Sequence, residues 1–362
     1  MKQFLTIILA MLLANIAAWA QDEAMAVLTH NGTTKTFSGR EALIKAYAEA
    51  THGDLITLSS GQFESVAKIE KAITIRGAGL GNDTVYHTQP TVIYNNMTLA
   101  IPNEVTGHFQ MEGIYHANWI YYANNLTDAK FVRCRLHDIS AGQYEITGGE
   151  KKWGTCQNMQ FFHCKIRGVL VCNSYSTMSL VNCYVESPYT YGSTTSNISF
   201  RNCVIKASYK NFSAMGKNDF AYSYYSGNTS CCLWSCYLTN CIVYKGDNNT
   251  SRWNDNTVFT KCLLPSNWAP NVDRNTYQTY SSVTAIFQTY NGTYSETENF
   301  ALKDDAAAAY LGNDGKQVGM YGGVIPYSPR LAGPHIKSLK VSDHSTADGK
   351  LNVKVLIEST QD

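Results

Sequence analysis

The sequence predicts an all-β chain wound into a solenoid of parallel strands, with a short helix before the solenoid and a β-hairpin after it. Three observations predict this class. The composition includes 24 Tyr but only 16% charged residues, which suits stacked strands better than a helical bundle. A Cys-centred motif recurs about every 20 residues, and a fixed short period is typical of solenoids. Around that Cys, apolar residues alternate as in strands.

The first 20 residues have the pattern of a secretory signal peptide. Lys2 precedes an apolar run over residues 4–16, and Ala-Trp-Ala at 18–20 forms a small-residue cleavage site. The apolar run is short for a membrane span. We therefore expect an exported protein, in the periplasm, on the cell surface or outside the cell, with no membrane span in the mature chain from Gln21.

Residues 39–52 are predicted to form the short capping helix. Leu43, Ala46, Tyr47 and Ala50 fall on one face of such a helix. The segments 53–63 and 73–79 follow as the first predicted strands.

Six copies of the repeat align on a Cys, defined here as position 0. Phe or Leu occupies position −3, and Leu, Ile or Val occupies position +2. An earlier copy has Ile114 at position 0, and the successive spacings are 20, 30, 19, 20, 38 and 21 residues. The six aligned cysteines are Cys134, Cys164, Cys183, Cys203, Cys241 and Cys262.

A bend is predicted at position −1 of each copy. Positions −5 and −3 face the core, and so do 0 and +2, which a continuous strand with a period of two does not allow. Gly and Asn best tolerate the left-handed backbone of such a bend, and Asn side chains stacked there can hydrogen-bond along the axis. The Gly and Asn residues at this position are Gly77, Gly113, Asn182, Asn202 and Asn240.

These features resemble the right-handed parallel β-helix, or pectin-lyase-like, superfamily over residues 38 to 325. The resemblance implies a β-helix domain with its N-terminal cap over residues 21–325. A leucine-rich repeat has a similar period, but this chain lacks the dense Leu framework. Residues 294–332 look loop-like, and together with 334–336 they resemble the tails of secreted Bacteroidetes β-helix proteins. Residues 326–362 are predicted to form a separate hairpin that covers the end of the solenoid.

The ladder cysteines are predicted to act as small hydrophobes in a narrow core. No metal site is expected, because the motif brings no short-spaced Cys and His ligands together. Disulfides between coils remain an alternative.

A carbohydrate-binding groove is predicted on the face that follows position +2. Long insertions, at about 142–157 and 209–232, flank tight coils that carry Tyr. Aromatic faces suit stacking on sugar rings, although Tyr is also common on ordinary strand surfaces. The candidate sugar contacts are Trp153, Tyr175, Tyr189, Tyr191, Tyr209 and Trp253.

The signature motifs of pectate lyases and polygalacturonases are absent, so the sequence does not establish catalysis. A lyase would draw its base from four residues, Lys210, Lys217, Lys245 and Arg252, and a hydrolase would use Asp247 and Asp255. We expect no cofactor, with calcium the exception in a lyase.

The net charge of +1 argues against a nucleic-acid partner. The expected function is polysaccharide binding by an exported monomer. A divergent polysaccharide lyase or glycoside hydrolase, and a structural or adhesive surface protein, are the alternatives.

Overall fold

The computed structural model describes residues 24–81, 89–167, 170–172, 176–186, 188–190, 198–207, 233, 236–245, 257–266, 276–295, 298–328, 333–341 and 353–360. Over these ranges the chain is a parallel β-helix, as predicted. Short strands return coil after coil to the same three columns and pair in parallel with the coils before and after them. The side chains that point inward form one continuous hydrophobic core.

Each column of strands forms one face of the solenoid. Sheet A, before the bend, contains Leu55–Leu58, Thr74–Arg76, Gln110–Glu112, Lys130–Val132, Met159–Phe162, Met178–Val181, Ile198–Arg201, Cys236–Thr239 and the first half of Val258–Pro265. Sheet B, after the bend, contains Gly61–Glu64, Thr91–Tyr94, the first halves of Tyr115–Tyr122 and Arg135–Ala141, Lys165–Ile166, Tyr184–Glu186, Val204–Ala207, Ile242–Lys245, the second half of Val258–Pro265 and Thr276–Tyr280. Sheet C contains Lys68–Ile69, Met97–Leu99, the second halves of Tyr115–Tyr122 and Arg135–Ala141, Leu170–Cys172 and Pro188–Thr190.

The predicted bend at position −1 is present in seven successive coils. Gly113, Arg133, His163, Asn182, Asn202, Asn240 and Lys261 all have left-handed φ values between 49° and 63°. Gly77 is needed for a different reason, because its φ is not left-handed. A Cβ on Gly77 would lie only 2.5 Å from the carbonyl oxygen of Gly113.

The Asn side chains at the bend do not hydrogen-bond to one another. Asn182 Nδ2 instead donates to the carbonyl oxygens of Met320 and Gly322, at 2.7 and 2.8 Å. Asn240 Nδ2 donates to Asn313 Oδ1, and Asn240 Oδ1 accepts from the Asn313 backbone N–H. The bend column is therefore tied to the C-terminal part of the chain.

The predicted inward ladder of cysteines is confirmed. In each coil the thiol at position 0 lies within hydrogen-bonding distance of two carbonyl oxygens, one at −2 of its own coil and one at −3 of the coil before. Burial raises the pKa of the Cys164, Cys203 and Cys262 thiols well above the usual value. The eight cysteines whose side chains the structure describes are all free thiols, so they form no disulfides.

The N-terminal cap contains more than the predicted helix. The helix runs over Ala42–Glu49 and buries Leu43 and Ala46. Before it, an antiparallel pair of strands, Met25–His30 and Thr33–Ser38, was not predicted. Met25–His30 also pairs antiparallel with Leu55–Leu58, so it covers the exposed edge of the first coil.

Residues 281–295 and 298–328 fold back over the outer face of sheet B in the last coils. They include two short helices, Val283–Ile286 and Asp304–Ala309. The second helix lies within residues 294–332, which the sequence predicted to be loop-like. Phe287, Tyr290 and Phe300 pack against outward residues of sheet B, and a second hydrophobic cluster results. The Phe300 ring stacks on Tyr184 with centroids 4.2 Å apart.

Three smaller strand pairs complete the fold. Asn125–Thr127 pairs with Thr155–Gln157, and Gln143–Glu145 pairs with Lys151–Trp153. The predicted C-terminal hairpin is present as Gly333–Val341 and Val353–Thr360. That it covers the end of the solenoid stays a prediction. Among the residues described, no helix has the length and apolar character needed to cross a membrane.

Candidate functional site

The outer face of sheet C carries a pair of aromatic side chains. Trp119 and Tyr121 alternate with Ile120 and Tyr122, which are fully buried in the core. The strand therefore directs Trp119 and Tyr121 outward. Their rings are nearly parallel, with an interplanar angle of 7° and centroids 5.6 Å apart. Both residues are half-buried, so part of this aromatic surface is open to solvent.

A carboxylate lies on the coil next to this pair. Asp138 is in register with Trp119, and Ser140 is in register with Tyr121. The Asp138 side chain is only 6% exposed, and its Oδ2 contacts Nδ1 of the more exposed His137. This contact holds the carboxylate beside Trp119. Hydrogen-bonding groups next to aromatic faces form the kind of surface that recognises a sugar ring.

A hairpin insertion forms one wall beside the aromatic pair. Its base is held to the strand of Tyr121 because Gly142 N donates to Tyr122 O and Gly154 N donates to Gly142 O. A Cβ on Gly154 would lie 2.1 Å from Tyr122 O, so only glycine allows this approach. Trp153, at the end of the hairpin, is half-buried and packs against the main core.

The charged residues of this hairpin pair with one another. Lys151 Nζ lies 3.6 Å from a Glu145 carboxylate oxygen, and Lys152 Nζ lies 4.0 Å from one of Glu150. All four side chains are at least half exposed, so each pair is worth about 0–1 kcal/mol. Their arrangement stabilises the hairpin.

Of the sequence-predicted sugar contacts, Trp153 is the one whose surroundings the structure describes. It packs against the main core, and its contact with a sugar stays a prediction. Tyr189 lies on the sheet C strand Pro188–Thr190, in register with Val171. The other four, Tyr175, Tyr191, Tyr209 and Trp253, lie outside the described residues.

Of the sequence-predicted catalytic residues, Lys245 lies in sheet B, in register with Ala207. The other five, Lys210, Lys217, Asp247, Arg252 and Asp255, lie outside the described residues. The parts of the chain that are described contain no group of three His, Cys, Asp or Glu side chains able to hold a metal ion.

Trp119, Tyr121, His137 and Asp138 did not emerge from the sequence reasoning. That reasoning considered the groove only from the insertion at 142 onward. Tyr189 lies at +6 from position 0 of its coil, and the same offset from Ile114 leads to the buried Ile120. A strand irregularity between His116 and Trp119 shifts the outward places by one residue, so the repeat alone did not identify Trp119 and Tyr121.

No protein-family model, curated protein or solved structure matches the chain.

Proposed function

We propose that this is an exported β-helix protein that binds a polysaccharide along the outer face of sheet C. The observation that carries the proposal is the parallel, partly exposed pair Trp119–Tyr121. Rigid aromatic rings offer a large contact area at little cost in conformational entropy, and their faces match the C–H faces of sugars. The predicted signal peptide and the resemblance to pectin-lyase-like proteins support the same proposal.

The geometry of the solenoid suits an extended polymer. Adjacent coils repeat about every 4.8 Å, so residues at the same position of successive coils form a track along the axis. Trp119 and Asp138 are neighbours on such a track, and Tyr189 belongs to the same sheet two coils further on. A chain of several sugar rings can follow this track past the hairpin of Trp153.

The test compares alanine variants at two exposed aromatic sites. Purified mature protein is titrated by calorimetry with a panel of neutral and uronic polysaccharides. For the polysaccharide that binds, we expect Trp119→Ala and Tyr121→Ala each to weaken binding about tenfold, since an aromatic contact contributes about 1 kcal/mol or more. Tyr237→Ala is the matched control, because Tyr237 is 52% exposed on sheet A, away from the site. An equal loss in the control, or no binding by any polysaccharide, would refute the proposal.

The His137–Asp138 pair favours a second candidate, a divergent polysaccharide lyase or hydrolase. An imidazole in contact with a buried carboxylate next to a sugar-binding surface can serve in proton transfer. The same panel is therefore assayed, with calcium present, for unsaturated uronate absorbance and for new reducing ends. If the unmodified protein forms product and Asp138→Asn does not, catalysis is supported. If no polysaccharide of the panel yields product, the second candidate is refuted and binding is the function that remains.

A further inference from the structure

A separate cavity lies on another side of the solenoid, between the outer face of sheet A and the C-terminal segment. Its volume is about 550 Å³. One wall consists of side chains at the bend and on the neighbouring strands of sheet A, and the other consists of residues 313–314 and 323–325. This volume is within the range of about 300–1,000 Å³ that is usual for sites that bind small molecules.

The cavity contains a buried hydrogen-bonding atom without a partner. Asn182 and Asn240 both bind the C-terminal segment, but Asn202, on the coil between them, does not. Asn202 is only 3% exposed, and its Oδ1 has no hydrogen-bond donor in the described parts of the chain. Gly323 passes so close that a Cβ there would lie 2.2 Å from Asn202 Nδ2.

This arrangement leaves the amide oxygen buried at the wall of the cavity, without a donor among the described residues. An unsatisfied buried polar atom destabilises the protein, because it has given up its hydrogen bonds to water. A ligand that offers an O–H or N–H group to Asn202 Oδ1 removes that destabilisation when it binds.

The charge of the cavity favours an anion. Lys130, Arg133 and Arg201 line it, whereas Asp314 is the one carboxylate among the lining residues. Arg201 is exposed and forms no ion pair with any residue that the structure describes. Asp314 accepts a hydrogen bond from the backbone of Lys316. The planar fork of an Arg side chain matches a carboxylate with two parallel hydrogen bonds.

The remaining surface of the cavity is apolar. Phe162, Val132 and Val181 line the strand side, and Val324 and Ile325 line the opposite side. Val324 is 93% exposed and Ile325 is 52% exposed, although large apolar side chains in adjacent positions are usually covered. A ligand with an apolar face would cover this surface.

We propose that this cavity binds a small organic acid. Its carboxylate pairs with Arg201, its hydroxyl or amino donor bonds to Asn202 Oδ1, and its apolar face lies against Phe162. The site is independent of the proposed polysaccharide track, because it lies on sheet A and not on sheet C.

The test uses two matched pairs of probes, glucuronate with glucuronamide and phenyllactate with phenyllactamide. Members of a pair differ in the carboxylate, and the two pairs distinguish a sugar acid from an aromatic hydroxy acid. Binding to the full mature chain is followed by ligand-detected NMR and calorimetry. We expect at least one acid to bind about tenfold or more tightly than its amide, since a charge-assisted hydrogen bond is about twice as strong as a neutral one.

Variants then assign the binding to this cavity. Arg201→Gln is expected to abolish the preference for the acid. Asn202→Gly is expected to weaken binding about fivefold or more. Glycine is chosen there because it accepts the left-handed backbone of the bend. Arg40→Gln, on an exposed Arg with only a 4.0 Å contact to Glu64, is the matched control and should bind as the unmodified protein does. The proposal is overturned if neither acid binds at millimolar concentration, if acid and amide bind equally, or if Arg201→Gln leaves the preference intact.

The two proposals fail separately. Trp119→Ala should leave the binding of the small acid unchanged, and Arg201→Gln should leave the binding of the polysaccharide unchanged. Loss of acid binding in Trp119→Ala would mean that the acid occupies the sheet C face, which would overturn the proposal for the cavity.

Discussion

Positions 0 and −1 are adjacent in the chain of every coil, yet they differ in how strictly the residue type repeats. Position 0 points into the core, and it holds Cys in six coils with the same pair of thiol–carbonyl contacts. Position −1 lies on the outside of the bend, and it holds Gly, Arg, His, Asn or Lys with nearly the same backbone φ.

The difference arises because the two columns have different neighbours. Inside the solenoid each coil stacks on an almost identical coil, so the same small apolar residue fits every time. Outside, bend residues such as His163, Asn182 and Asn240 contact different parts of the C-terminal segment. The His163 ring lies against Tyr327 and its Nδ1 accepts from the Ser328 N–H, whereas Asn182 donates to Met320. A uniform column therefore indicates the architecture, and a varied column indicates local contacts and candidate sites.

The largest expected effect is a loss of stability in the inner column. Two adjacent phenylalanines, one pointing inward and one outward, test the contrast between the columns. Phe161 is fully buried and stacks on Phe131 at 5.0 Å, whereas Phe162 points outward and is half-buried. Phe161→Ala should lower the free energy of unfolding by about 3–5 kcal/mol, because it opens a core cavity. Phe162→Ala should cost about 1 kcal/mol or less. Urea unfolding measures both, and similar losses would contradict the distinction between inner and outer columns.

The second effect concerns a polar exception in the inner column at position +2. His116 takes the place that Leu136 has in the next coil, and its Nδ1–H donates to the carbonyl of Asn118 at a local irregularity of the strand. Its Nε2 is buried without a partner among the described residues. Burial lowers the pKa of His116 from 6.5 to about 4.

This pKa shift predicts a loss of stability in acid. Between pH 6.5 and about 4, the unfolded chain binds a proton at His116 that the native protein does not. Native stability therefore falls with pH in that window, by up to about 1.4 kcal/mol per pH unit. His116→Leu should remove this contribution. Between pH 7 and 4 its free energy of unfolding should therefore fall by about 3 kcal/mol less than that of the unmodified protein. Unfolding free energies measured at several pH values check this, and parallel pH profiles would contradict it.

The smallest expected effect separates backbone strain from side-chain bonding in the outer column. Asn240 has a φ of 54° and two hydrogen bonds with Asn313. Asn240→Ala should cost about 2–3 kcal/mol, because it combines the left-handed strain of a residue with a Cβ and the loss of these bonds. Asn240→Gly loses the bonds without the strain and should cost about 1 kcal/mol less. Thermal or urea unfolding of both variants gives the difference, and equal costs would mean that the backbone at the bend imposes no strain.

The repeat allowed much of the fold to be predicted because its constraints are local. Phe or Leu at −3, Cys at 0 and an aliphatic residue at +2 were predicted to face inward, and they do. The hairpin at residues 25–38 was not predicted, because Thr33–Ser38 is polar and largely exposed. It forms through pairing with the first coil and not through its own apolar pattern.

The candidate sites were predictable to a smaller extent. Trp119 and Tyr121 did not follow from the repeat, because the strand irregularity after His116 shifts their offset by one residue. The cavity around Arg201 and Asn202 was not predictable either, because its second wall comes from residues more than 100 positions further along the chain. Tyr184 follows position 0 and points away from the core, yet Phe300 covers it, and the repeat contains no signal for that contact.

The sequence by itself determined the coil, the bend and the inward columns, since a solenoid places each residue against residues one period away. Only the tertiary structure decided which outward residues are covered, which remain open and which meet to enclose a cavity. Those outcomes depend on where residues 281–295 and 298–328 fold back onto the solenoid. That placement follows from contacts of long sequence separation, such as Asn182 with Met320, which no local period encodes.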